Sequence, residues 1–113
     1  MVQLKRAYEA ASARDGYRVL VERLWPRGVR KSDAHLDAWL KDVAPSDALR
    51  RWFGHDPSRW EEFRRRYRAE LSHNAALLNE LQAIAQKGRL TLVYAARDEV
   101  HNEAVVLRDV LVH

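Results

Sequence analysis

Arg23, Arg27, Arg30 and Lys31 crowd into the stretch Glu22-Arg23-Leu24-Trp25-Pro26-Arg27-Gly28-Val29-Arg30-Lys31. The stretch starts as an apolar, strand-like run and becomes a basic loop at Pro26 and Gly28. Guanidinium groups bind phosphate or carboxylate through two parallel hydrogen bonds, so such a loop is a candidate anion cradle. The bland alternative is a solvated loop that pairs its cations with Glu22 and Asp33. Arg23 and Arg27 stand nearer the apolar run and are the stronger candidates. Trp25 beside them would wall a pocket, stack on a base, or lid the sheet edge.

A second set follows the apolar run Leu90 to Ala96: Arg97, Asp98, His101 and Asn102, just before a helical pattern. Free backbone donors at a helix start favour anions. Asp98 and His101 are the residues that could move a proton, and Arg97 and Asn102 would hold a ligand. Asp98 or Asn102 acting only as a helix cap is the structural alternative. His55-Asp56 reads either as a base beside a carboxylate or as a turn into Pro57. His35, His55, His73 and His101 are scattered and lack paired ligand spacing, so no metal site is expected. No phosphate-binding glycine loop, nucleophile elbow or RNA-recognition signature occurs, and no cofactor is expected.

These residues need elements to carry them. Val2 to Ala7 alternates apolar and polar residues as a half-buried strand does. Arg14-Asp15-Gly16 is turn chemistry, and Tyr17 to Leu24 is a second strand with a β-branched centre. Leu36 to Val43 fits either a helical stripe or a strand. Ser46 is a plausible cap for a short helix over Asp47 to Phe53. Pro57 opens a longer helix, with Ser58 and Glu61 at capping-box spacing and Trp60, Phe63, Tyr67 and Leu71 on the inner stripe. Arg59, Arg64, Arg65, Arg66 and Arg68 give that helix a basic face, which Glu61, Glu62 and Glu70 dilute. Trp52 and Trp60 sit on helix stripes and read as core. Leu77, Leu78, Leu81, Ile84 and Ala85 mark another helix, stopped at Lys87-Gly88. Leu90 to Ala96 is apolar on both faces, as an interior parallel strand is. Glu103 to Val112 is the last helix. Strands at both ends with helices between predict one α/β layered domain over residues 1–113, with a small, mainly parallel sheet of three to four strands flanked by helices. In such folds the crevice lies beyond the carboxyl ends of the strands, which selects the loops after Leu24 and after Ala96.

Composition narrows the class. The chain has 113 residues, which suits one core and not two. It carries 20 Lys and Arg against 16 Asp and Glu, a net charge of +4 that is compatible with a nucleic-acid partner or a small-anion pocket. No apolar run approaches the ~20 residues a bilayer requires, so no membrane association is expected. Zero cysteines exclude disulfides and a thiol nucleophile. With no signal-like start, these features predict a cytoplasmic protein.

Four segments together resemble a known family. They are Glu22 to Gly28, then Trp39-Leu40-Lys41-Asp42-Val43-Ala44-Pro45-Ser46, then Arg51-Trp52-Phe53-Gly54-His55-Asp56-Pro57 with Trp60, Phe63 and Tyr67, then Leu92 to Asp98 with His101, Asn102 and Ala104. In this order they are similar to the YeaO-like branch of the family catalogued as domain of unknown function 488, over about Arg18 to Leu111. The resemblance implies a small bacterial cytoplasmic α/β protein and favours a strand over Leu36 to Lys41. It supplies no activity. Some members carry transcription-regulator labels, for which this chain shows no helix-turn-helix pattern. Longer relatives place a Cys-His-Arg run after the last strand, where this chain has His101-Asn102.

Two readings stay open. The first is a protein that binds a phosphorylated or carboxylated small ligand, with hydrolase or transferase as the candidate reaction classes, Arg23, Trp25, Arg27, Arg97 and Asn102 on the ligand, and Asp98 and His101 as acid or base. The second is a nucleic-acid-binding or regulatory module without catalysis. The sequence is silent on oligomeric state.

Overall fold

The computed structural model describes residues 1–112. Four strands form one all-parallel sheet in the order β1-β4-β2-β3: β1 Val2–Arg6, β2 Tyr17–Leu20, β3 Ala38–Trp39 and β4 Leu90–Tyr94. The expected α/β layering is borne out. The last strand is inserted between the first two, so Leu90 stands opposite both Val2 and Tyr17. This central place explains why β4 is apolar throughout: all its residues are buried. Its Thr91 hydroxyl is satisfied, with Oγ1 donating to the Asp15 carbonyl at 2.6 Å.

Five helices accompany the sheet: α1 Lys31–Ala34, α2 Asp47–Phe53, α3 Trp60–Leu71, α4 Ala75–Lys87 and α5 Glu103–Val112. Phe63, Tyr67 and Leu71 of α3, Leu81 of α4, and Ala104, Leu107 and Leu111 of α5 join Val19, Leu90 and Leu92 in one apolar cluster. Burying each large side chain contributes about 1.5–3 kcal/mol, so these stripes hold the helices to the sheet. Tyr67 donates its hydroxyl to the Val43 carbonyl at 2.6 Å, which satisfies the phenol at full burial.

Three expectations need correction. β2 ends at Leu20 rather than Leu24. Val21 still donates to the Val93 carbonyl, but Glu22 and Arg23 then turn to other partners and leave the ladder. The strand expected over Leu36 to Lys41 shrinks to Ala38–Trp39, because β2 offers so short a ladder at that edge; a tight turn over Lys41–Val43 follows. The Ser58–Glu61 capping box does not form. Asp56 instead accepts from the Ser58 backbone N–H at 3.0 Å and caps a turn over Pro57–Arg59 that leads into α3. Ser46 does cap α2, accepting from the Leu49 N–H at 3.2 Å.

The amino ends of the strands are closed by a polar lock. Asp15 is buried and accepts from the Ser12 N–H (3.0 Å), Lys5 (3.1 Å) and Arg18 (2.6 Å). Gly16 follows with φ at 64°, and a Cβ there would collide with the Arg89 carbonyl oxygen.

Candidate functional site

A cavity of about 150 Å³ opens beyond the carboxyl ends of β2 and β4. Its walls come from the chain leaving β2 (Glu22, Arg23, Leu24), the segment before α2 (Ala44, Pro45), α2 and its exit (Arg50, Phe53, His55), Phe63 of α3, and the start of α5 (Asn102, Glu103). Phe53, Phe63 and Asn102 are buried, whereas Leu24, Arg50 and His55 are exposed, so the cavity has a closed inner end and a polar rim.

Each wall residue is fixed locally. Glu22 is anchored at two points. Its carbonyl accepts the Trp39 indole N–H at 2.6 Å, and its Oε2 accepts the Ala95 N–H at 3.3 Å. Arg23 donates from Nε to the Pro45 carbonyl (3.0 Å) and from one terminal nitrogen to the Ala44 carbonyl (3.2 Å). Its other terminal nitrogen has no protein partner among the described residues. Asn102 caps α5, accepting from the Val105 N–H at 3.2 Å while its amide donates to the Asp98 carbonyl at 2.9 Å. His55 follows Gly54 with both residues in left-handed backbone, φ 57° and 53°. That pair ends α2 sharply and places the imidazole at the rim.

Glu103 is the unusual group. Its carboxyl is buried, and Oε1 has no hydrogen-bond partner among the described residues. Burial, then a hydrogen bond shared with the Glu22 carboxylate and the charge of that carboxylate, push Glu103 well above the ordinary glutamate range.

The residues selected from sequence separate into three groups. Arg23 and Asn102 line the cavity. Arg97 and Asp98 line an adjoining groove with Ala95, Ala96 and His55, and His55 borders both hollows. Trp25 and Arg27 line neither. Trp25 packs edge-on against Trp39 with centroids 5.4 Å apart and donates to the Val29 carbonyl at 2.7 Å. Arg27 is exposed, and its carbonyl accepts the Tyr8 hydroxyl at 2.9 Å. His101 meets Asp98, Nδ1 to Oδ2 at 2.8 Å, and lies edge-on to Trp60. Asp98 also accepts the backbone N–H groups of His101 and Val100; the former contributes most to holding its pKa at about 2. Such a carboxylate fixes the orientation of the imidazole.

Sequence reasoning missed Glu22, Arg50 and Glu103 as wall residues, while His55 read either as a base beside Asp56 or as a turn. Glu22 read as an ion-pair partner of the arginines and Glu103 only as a helix start. Only the burial of its carboxyl separates Glu103 from that background. Among the described residues, no group of three or more His, Asp and Glu side chains could hold a metal ion, and no helix is long and apolar enough to cross a membrane.

Fold and site together define an all-parallel α/β protein with a carboxyl- and arginine-walled cavity at the strand ends. The chain belongs to the family described as the inactive DUF488-N3 subclade, which matches residues 1–113. It is 44% identical over 110 residues to the uncharacterized protein Rv3073c of Mycobacterium tuberculosis (strain ATCC 25618 / H37Rv), covering 97% of this chain and 92% of that one. It is also 44% identical over 108 residues to the uncharacterized protein YeaO of Escherichia coli (strain K12), covering 96% and 94%. The resemblance first carried by Leu24-Trp25-Pro26-Arg27-Gly28 is therefore borne out. No solved structure matches the chain.

Proposed function

We propose that this chain is a small-molecule-binding protein that receives a phosphate- or carboxylate-bearing ligand in the cavity at its strand ends and does not turn it over. One observation carries the reading: a cavity at the carboxyl ends of parallel strands, where α/β folds bind ligands, walled by a guanidinium already fixed in place. The carbonyls of Ala44 and Pro45 hold Arg23 before any ligand arrives, so little side-chain freedom is lost on binding. Arg50 and His55 stand at the rim, where the acidic end would meet water. A volume near 150 Å³ accepts a group about the size of benzene, so the rest of the ligand would lie over the rim.

Binding without turnover is supported by the family's description as inactive. It is also supported by Asp98 and His101, the acid–base pair selected from sequence, which bond to each other outside the cavity lining. A nucleic-acid partner has less support. Arg64 pairs with Glu61, and Arg65 and Arg66 pair with Glu62, so much of the basic face of α3 is neutralised on its own helix.

The test is a thermal-shift screen against inorganic phosphate, nucleotides, sugar phosphates and aromatic carboxylates. A ligand at a hundred times its Kd stabilises by about 2.7 kcal/mol, a shift of several degrees. The shift should disappear in Arg23→Ala and weaken in Arg50→Ala, while Arg27→Ala and His101→Ala keep it. A shift lost in Arg27→Ala but kept in Arg23→Ala would place the anion elsewhere and end this reading.

A further inference from the structure

We infer that Glu22 and Glu103 form the inner subsite of this cavity and take a cationic nitrogen group, an ammonium or amidinium, so that the ligand is a small zwitterion. The acidic end of that ligand rests on the reading above; the cationic end rests on separate observations. The first is the orphaned Oε1 of Glu103, a buried acceptor without a donor. Leaving such a group unpaired costs about 1–3 kcal/mol, and a ligand donor would recover it. The second is Glu22, whose Oε2 accepts only the long Ala95 N–H bond at 3.3 Å, leaving the carboxylate with capacity to spare. The third is the order of the walls. The carboxyl pair stands with buried Phe53 and Phe63, and the Arg50 guanidinium and the His55 imidazole stand at the exposed rim. A molecule that enters nitrogen first and leaves its acid outside matches that order.

The groups facing the pair are Arg23 on the chain leaving β2, Arg50 and His55 at α2, and the Tyr67 hydroxyl of α3, whose proton is committed to the Val43 carbonyl. Tyr67 titrates only far above neutrality, because burial and then the charges of Glu103 and Glu22 raise it. Burial raises Glu103, and a cation beside it would favour its charged form, so any proton on Glu103 leaves to solvent as the cation binds.

The experiment is titration calorimetry with three ring-sized probes: benzamidine, 4-(aminomethyl)benzoate and benzoate. The first two should bind, and Glu103→Gln and Glu22→Gln should each weaken that binding about tenfold or more while leaving benzoate unchanged. Benzoate should bind more weakly than 4-(aminomethyl)benzoate. If benzoate matches the zwitterion, or neither Gln variant weakens benzamidine, the cationic subsite is wrong while the anion-binding reading survives. If benzamidine alone binds and loses affinity in the Gln variants, the subsite stands and the anionic rim fails. If no probe binds, both fail. A ligand-free control uses Glu103→Met, which removes the orphan at similar volume and should raise Tm. A fall of several degrees would mean that the carboxyl is structural, and the inference would be overturned.

Discussion

Asp15 and Glu103 are two buried carboxyls treated in opposite ways. Burial alone would raise the pKa of Asp15, but the Ser12 N–H, Lys5 and Arg18 outweigh it and hold the group at about 2. Its folded value lies below the ordinary aspartate value of 3.8, so its stabilisation is complete above that pH and is lost as pH falls from about 4 to 2. The amount is on the order of 2 kcal/mol. Acid titration followed by circular dichroism should show Tm falling through that window, and Asp15→Asn should remove most of the slope while lowering Tm at neutral pH. An unchanged slope in Asp15→Asn would show that the lock is not held by this charge. Glu103 has the reverse sign. Its folded value is raised, so its contribution is fully present below the ordinary glutamate range and is lost as pH rises through the raised folded value. A group retained at that cost suits binding better than stability. Neither role was legible from composition. Arg14-Asp15-Gly16 shows only a turn, and Glu103 shows only a helix start, because burial is set by distant chain segments.

Elements were legible where local pattern and tertiary place agree. β4, α4 and α5 combine strong periodicity with clear stops and appear close to where the sequence puts them. Ser46 announced α2, and the fold strengthens that signal: the Ser46 N–H and hydroxyl donate to the two oxygens of Glu70 at 2.8 and 2.5 Å. Ser46→Ala removes the cap and the hydroxyl half of this bridge to α3, and keeps the backbone N–H bond. It should cost about 1–2 kcal/mol and lower Tm by several degrees in calorimetry; a change below one degree would mean that water replaces the hydroxyl at no loss. The segment from Leu24 to Val43 was poorly legible because little in it is decided locally. Pairing with β2 reaches only Ala38–Trp39, and α1 is a single turn within the basic loop. The turn at Pro26 and Gly28 also swings Trp25 onto Trp39, which separates Trp25 and Arg27 from Arg23 despite their closeness in sequence.

At the scale of the molecule, the sheet divides the polar chemistry between its two ends. The amino ends carry a satisfied ion-pair lock and the carboxyl ends a cavity with an unsatisfied carboxyl. The topology was legible enough to choose the correct end of the sheet for inspection, since the crevice rule needs only parallel strands. It could not choose among side chains within the loops there. The net charge of +4 is spread over surfaces where arginines meet acids or aromatic faces; Arg66 lies 4.3 Å from the centroid of Trp52. The most direct test of a strand-end binding site is the map of backbone amide shifts in a 1H–15N correlation spectrum as 4-(aminomethyl)benzoate is added. The account expects saturable shifts at Glu22, Phe53, His55, Ala95, Asn102 and Glu103. Shifts confined to Arg64 through Arg68 of α3, or to Arg27 through Lys31, would contradict it.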